Sequence, residues 1–104
     1  MDIRFYKPTV ADIPKMQEIV KEEVQSGKIL LRTEDEMATT IRSYTVVKVN
    51  DKIAGFTATH IHSPRLAEVR SLVVAKEFRG LKLGKQLVEA CIKEAKEYGI
   101  KQLL

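Results

Sequence analysis

The segment 73–85, VVAKEFRGLKLGK, has the composition of an anion-binding loop. Apolar and β-branched residues lead into Gly80 and Gly84, and a helical pattern follows. Backbone N–H groups at a helix start have no intrahelical partner, and the helix dipole favours negative charge there. Lys82 and Lys85 add positive charge. The segment predicts a phosphate or pyrophosphate site, although its glycine spacing fits neither a Walker A loop nor a dinucleotide fingerprint. The alternative is an ordinary strand–helix turn.

Ionisable side chains stand two residues apart on the two strands that precede this loop. Glu68 and Arg70 share one strand face, and so do His60 and His62. A carboxylate or an imidazole in this position can accept a proton. The alternatives are an ion pair between Glu68 and Arg70 and structural roles for both histidines. Because no third ligand accompanies the histidines, we predict no metal site.

The composition indicates one small globular domain of 104 residues, with 44% hydrophobic and 31% charged residues. The longest apolar run, residues 72–75, is far shorter than the roughly 20 residues that span a bilayer. The N-terminus lacks the apolar stretch of a secretory signal, so we expect a cytoplasmic protein without membrane contact.

Cys91 is the only cysteine of the sequence and is expected to be a buried apolar residue. The net charge of +4 is scattered, so nucleic-acid binding is not expected.

The elements that position these residues follow the order β-α-α-β-β-β-α-β, which predicts an α/β or α+β domain. Residues 9–12 begin the first helix, which Gly27 ends, and a capping box at residues 33–36 opens the second. Residues 44–49 and 52–61 form a hairpin across the Asn50–Asp51 turn. The next strand, 66–74, is expected to place Leu66, Glu68, Arg70, Leu72 and Val74 on one face. The last helix carries Cys91 and Tyr98 on its packing side and ends at Gly99.

Residues 79–84, RGLKLG, resemble the coenzyme-A-binding motif of the GNAT acetyltransferase superfamily, Gln/Arg-x-x-Gly-x-Gly/Ala. Lys82 stands where the motif has its middle glycine. The order of the elements matches that superfamily along the whole chain. Residues 31–36, 41–44, 60–64 and 66–72 together look like the short amino-acid N-acetyltransferases of arginine biosynthesis, the stand-alone N-acetylglutamate synthases.

This resemblance implies a GNAT fold, a mixed and mostly antiparallel sheet with flanking helices, and roles for particular residues. Glu68 would deprotonate the acceptor amine, and Arg32 and Arg70 would hold the acceptor, with Arg42 a weaker candidate. Acetyl-CoA would be the co-substrate, with no metal. The strand backbone at Leu72, Val73 and Val74 would bind its pantetheine. Its pyrophosphate would bind to the loop residues Arg79, Gly80, Leu81, Lys82, Leu83, Gly84 and Lys85.

The function expected from these features is direct transfer of an acetyl group to the α-amine of L-glutamate. Another amine acceptor, or a coenzyme-A-binding module without catalysis, is the alternative. GNAT domains usually continue through further strands, so we expect residues 1–104 to be a C-terminally truncated GNAT domain. A strand at residues 100–104 that was left unpaired would favour self-association, so a homodimer is a further expectation.

Overall fold

The computed structural model describes residues 1–25 and 32–104, with only the backbone for residues 22–25. The order of the elements is the predicted one. The five strands are β1 (Ile3–Tyr6), β2 (Tyr44–Val49), β3 (Lys52–Ser63), β4 (Leu66–Val74) and β5 (Gln102–Leu103). The three helices are α1 (Ile13–Gln25), α2 (Glu34–Thr39) and α3 (Leu83–Glu97). Short 3-10 helices occupy Val10–Asp12, Ile41–Ser43 and Lys76–Phe78.

The strands form one mixed sheet in the order β1-β2-β3-β4-β5. The first four strands are antiparallel to their neighbours, and β5 pairs in parallel with the first half of β4. Helices cover both faces of this sheet. The mixed α/β architecture predicted from the sequence is therefore confirmed.

Each face of the sheet has its own apolar core. On the face covered by α1 and α2, the buried residues include Ile13, Met16, Met37, Tyr44, Val46, Phe56 and Val73. On the face covered by α3, they include Val47, Val49, Ala54, Leu83 and Leu87. Cys91 is fully buried on the α3 side, as predicted. The Lys7 ammonium, just after β1, lies 2.8 Å from the Glu94 carboxylate and ties the N-terminal strand to α3.

Several short residue patterns adopt the turns and helix caps that the sequence predicts. The Thr33 hydroxyl accepts the Glu36 N–H at 3.1 Å, and the Glu36 carboxylate accepts the Thr33 N–H at 2.8 Å, which is the capping box of α2. Asn50 and Asp51 take left-handed φ angles of 50° and 68° in the β2–β3 turn. Gly99, with φ 81°, ends α3.

A β-bulge in β4 overturns the prediction that one face carries every even-numbered residue. The register with β3 shifts between the pairs Ala58–Arg70 and Phe56–Val73, and Ser71 takes a left-handed φ of 56°. A bulge adds one residue to a strand and reverses the alternation of its side chains. Arg70 and Val73 consequently share the α1–α2 face, whereas Val74 packs on the α3 side.

Two further expectations differ from the structure. β3 continues to Ser63, two residues past the predicted end, so both His60 and His62 belong to the strand. Tyr98 is 67% exposed at the end of α3, so the prediction that it packs against the domain was wrong. The helix-ending role predicted for Gly27 lies outside the described residues.

Candidate active site

The β4–α3 loop keeps the shape of a glycine-rich turn although one glycine position holds lysine. Gly80 has φ 95°, and Lys82 has φ 60° and ψ 27°, the left-handed region that side chains with a Cβ occupy at a cost. The chain here turns sharply out of β4 and into α3. A Cβ placed on Gly80 would meet no atom within 4 Å, so the space in front of this residue is open to a ligand.

The start of α3 presents unpaired backbone donors beside this loop. The first helical bond runs from the Gln86 N–H to the Lys82 carbonyl, so the N–H groups of residues 83–85 have no partner within the helix. The Arg79 side chain donates from Nε to the Val74 carbonyl at 3.3 Å, which fixes its guanidinium at the end of β4. The loop therefore fits a polyanion such as a pyrophosphate.

Beyond Val69, one edge of β4 has no neighbouring strand in the described part of the chain. The last bonds to the β5 side join the Val69 N–H to the Leu104 carbonyl and the Leu104 N–H to the Ala67 carbonyl. The Ala75 N–H, in contrast, donates to Ala54 on β3 at 2.7 Å. Since peptide groups alternate along a strand, those of Leu72 and Val74 point to the open edge. The peptide groups of Val73 point to β3, and its side chain is buried.

A cavity of about 580 Å³ lies on the α1–α2 face next to the bulge. The polar residues that line it on one side are Arg32, Glu36 and Gln17. Arg32 donates from Nε to the Ser71 hydroxyl at 3.4 Å, and its carbonyl accepts the Gln17 amide at 3.0 Å. The other lining residues are Val20, Met37, Tyr44, Phe56, Ser71, Leu72 and Val73. One cation and one anion facing the same cavity suit a small zwitterion.

Gln17, Glu36 and Ser71 line the cavity but were not predicted as site residues from the sequence. Gln17 stands three residues before Val20 on α1, so helical spacing places both on the same side and could have indicated it. Glu36 was assigned only to the capping box, which it does form. Ser71 reaches the cavity because of the bulge, for which its residue type gives no signal.

A cluster of ionisable side chains continues from the bulge along the same face. One oxygen of Glu68, Oε1, lies 2.7 Å from His62 Nε2 and accepts a bond from Arg70 Nε at 3.1 Å. The hydrogen bond to His62, and after it the one from Arg70, hold the pKa of Glu68 below its usual range. The ion pair with Arg70 is the alternative that the sequence left open. Together with the His62 contact, this ion pair stabilises the ionised form of the carboxylate.

His60 completes this cluster from the neighbouring strand. It lies directly opposite Glu68 in the β3–β4 register, and its ring packs edge-on against the His62 ring at 4.5 Å between centroids. Burial, and then the positive charge of Arg70, lower the pKa of His60, with smaller contributions from His62 and Arg32. These effects favour the neutral form of the imidazole. Arg32, which lines the cavity, is the last of these contributions.

Comparison with known proteins identifies the family of this chain. The sequence profile of the acetyltransferase (GNAT) family matches residues 11–104. The chain belongs to the GNAT acetyltransferase family. An amino-acid acetyltransferase from Pasteurella multocida is 29% identical to this GNAT chain over 96 residues, which are 91% of the chain and 22% of that protein.

Two solved structures share the GNAT fold. N-acetylglutamate synthase from Neisseria gonorrhoeae, complexed with coenzyme A and N-acetyl-glutamate, superposes with a TM-score of 0.92 at 18% identity, over 99% of this chain and 24% of that one. PaiA N-acetyltransferase from Thermoplasma acidophilum, complexed with coenzyme A, gives 0.84 at 21% identity, over 96% and 76%. The GNAT chain thus spans about a quarter of the length of the amino-acid acetyltransferase and of the Neisseria synthase.

The remaining candidates fall outside the site of this GNAT domain. Arg42, in the 3-10 helix Ile41–Ser43, is exposed and does not line the cavity. Within residues 1–25 and 32–104, no group of three His, Cys, Asp or Glu side chains is arranged to hold a metal ion. None of the described helices is long and apolar enough to cross a membrane.

Proposed function

We propose that this GNAT chain transfers an acetyl group directly from acetyl-CoA to the α-amine of L-glutamate. The observation that carries the proposal is the continuous path along β4. It begins at the unpaired donors of α3, follows the open edge at Leu72 and Val74, and reaches the bulge at Ser71. Beside that bulge lies the cavity with Arg32.

In this proposal the loop from Arg79 to Lys85 holds the pyrophosphate of acetyl-CoA through the N–H groups of residues 83–85 and the charge of Lys82 and Lys85. The peptide groups of Leu72 and Val74 bind the pantetheine as a neighbouring strand would. Val73 contributes by packing, since its side chain is buried beneath the cavity. This assignment places the acetyl group next to the bulge.

The acceptor side is proposed to use the charged groups on the α1–α2 face. Arg32 binds a carboxylate of glutamate at the cavity, and Arg70 can bind the second one from the neighbouring cluster. The amine loses a proton to the cluster formed by Glu68, His62 and His60. The amine nitrogen then attacks the thioester carbonyl, the C–S bond breaks, and the coenzyme A thiolate leaves and takes up a proton. Because Cys91 is fully buried on the other face of the sheet, we propose no acetyl-cysteine intermediate.

The test is an assay of free thiol release by the 104-residue chain with acetyl-CoA and a panel of amines. L-glutamate is expected to give the highest rate among amino acids, polyamines and peptides. A higher rate with another amine would support acetyl transfer but would identify that amine as the acceptor in place of glutamate. Binding of acetyl-CoA in calorimetry without thiol release would favour a coenzyme-A-binding module instead. A cytoplasmic location and a homodimer remain predictions, which cell fractionation and light scattering can test.

A further inference from the structure

We propose that His60, and not Glu68, accepts the proton from the acceptor amine, with Glu68 and His62 as the residues that position it. This inference rests on the proposed function, since it assigns the base of that reaction. Residues directly opposite in antiparallel strands have Cβ atoms about 4.5–5.5 Å apart. His60 and Glu68 are such a pair, so a substrate amine within reach of one is within reach of the other.

The hydrogen bonds of Glu68 argue against that carboxylate as the acceptor. Both of its hydrogen bonds to the described residues fall on Oε1, one from Arg70 and one shared with His62. A carboxylate that accepts two such bonds is stabilised in its ionised form, and protonating it weakens both. Ordinary glutamate and histidine pKa values also differ by about two units, so an imidazole holds a proton about 100-fold more tightly.

The same hydrogen bonds orient the histidines. An ionised carboxylate can only accept, so Nε2 of His62 donates to Glu68 and its ring orientation is fixed. The edge-on contact of 4.5 Å between the two rings then restricts His60. Glu68 thus orients His62 through a hydrogen bond, and His62 orients His60 through ring packing.

The charges that face His60 come from each neighbouring element. His62 lies on the same strand, Glu68 and Arg70 lie on β4, and Arg32 lies just before α2. Burial, and then the positive charge of Arg70, lower the pKa of His60, which favours the neutral ring that can accept a proton. After it has taken the amine proton, the same charges favour release of that proton to solvent, which restores the neutral ring.

The pH dependence of kcat/KM distinguishes the two possible bases. The reaction is measured with acetyl-CoA and L-glutamate for the wild-type chain and for the His60→Gln, His62→Gln, His62→Phe and Glu68→Gln variants. If neutral His60 is required, the wild-type rate falls as the pH drops through a midpoint below 6.5 but above the glutamate range. We expect His60→Gln to lower kcat at least 100-fold and to abolish that midpoint. His62→Gln can still donate to Glu68, so it should retain more activity than His62→Phe.

Other results would overturn the inference. An acid midpoint below pH 4.5 in the wild type, or a folded His60→Gln variant with wild-type kcat, would return the base role to Glu68. The absence of thiol release by the wild type with every amine would contradict the proposed function itself, and with it the role given to His60. NMR titration of the His60 ring in the wild type is a second readout. A midpoint at or above 6.5 contradicts a neutral base held by its neighbours.

Discussion

The Nε atom of Arg32 lies 3.4 Å from the Ser71 hydroxyl, which joins the polar wall of the cavity to the bulge in β4. Ser71 takes a left-handed φ of 56°, and the next residue turns its peptide groups to the open edge. The same irregularity therefore exposes the strand backbone and anchors the arginine of the cavity. This contact makes Arg32 a specific test of acceptor binding.

Replacing Arg32 with glutamine is expected to raise the KM for glutamate by about 10- to 100-fold. This corresponds to the loss of a charge-assisted hydrogen bond of about 1.5–3 kcal/mol. The affinity for acetyl-CoA in calorimetry should stay unchanged. Arg42→Gln is the matched control, because Arg42 is exposed in the adjacent 3-10 helix and should leave both constants unaltered. An equal effect of the two substitutions would contradict the assignment of Arg32.

Lys82 combines an unfavourable backbone conformation with a positive charge, and two variants separate these effects. Its φ of 60° costs about 1–2 kcal/mol for a residue with a Cβ, so Lys82→Gly should not lower the thermal stability. Lys82→Asn, which tolerates this conformation better than most residues, removes the charge alone. Both variants should weaken acetyl-CoA binding a few-fold in calorimetry if the ammonium contacts a phosphate. Unchanged affinity in both would show that the backbone donors bind the pyrophosphate without it.

The capping box of α2 is expected to make stability depend on pH. Hydrogen bonds from the Thr33 backbone, and then from its side chain, lower the pKa of Glu36. A group whose pKa is lower in the folded state stabilises the protein above its unfolded pKa, and this stabilisation is lost as the pH falls through the folded value. Glu36→Gln should therefore reduce the loss of Tm between pH 7 and pH 4. Thr33→Ala should cost about 1 kcal/mol in urea unfolding at pH 7. An identical acid dependence of Tm in the wild type and Glu36→Gln would contradict this linkage.

Gly55 permits the close contact between β3 and β4 at the end of the site. A Cβ there would lie 2.6 Å from the Val73 carbonyl oxygen, so Gly55→Ala must move one strand away from the other. We expect a loss of about 1–3 kcal/mol in the free energy of unfolding. Gly84→Ala is the control, because its Cβ would lie 4.0 Å from the Val74 side chain within helix α3. Equal stability of the two variants would contradict the tight contact at Gly55.

The sequence predicted those parts of the fold that depend on local chemistry. The Thr33 cap, the Asn50–Asp51 turn and the stop at Gly99 are short-range devices, and all three are confirmed. The bulge at Ser71 was missed because it adds a residue without a glycine to mark it. Tyr98 was assigned to the packing side of the helix by spacing alone, although the helix ends at Glu97 and the Tyr98 side chain is exposed.

The site was predictable where a run of neighbouring residues forms it, and less so where separate elements meet. The loop from Arg79 to Lys85 is contiguous, and its conformation suits the predicted anion site. The contacts of Arg32 with Ser71 and of His62 with Glu68 join residues 39 and 6 positions apart. Such contacts depend on the packing of α2 and on the β3–β4 register, which composition and spacing do not determine.

Acetyl transfer by this chain can be followed directly with a labelled donor. The 104-residue protein is incubated with acetyl-CoA carrying a ¹³C-labelled acetyl group and with L-glutamate, and both the small molecules and the protein are examined by mass spectrometry. The proposal predicts labelled N-acetyl-glutamate in an amount equal to the thiol released, and no label on the protein. Label retained on Cys91 during turnover would contradict direct transfer. Binding of acetyl-CoA without any labelled product from glutamate or another amine would contradict the claim that this chain is a transferase.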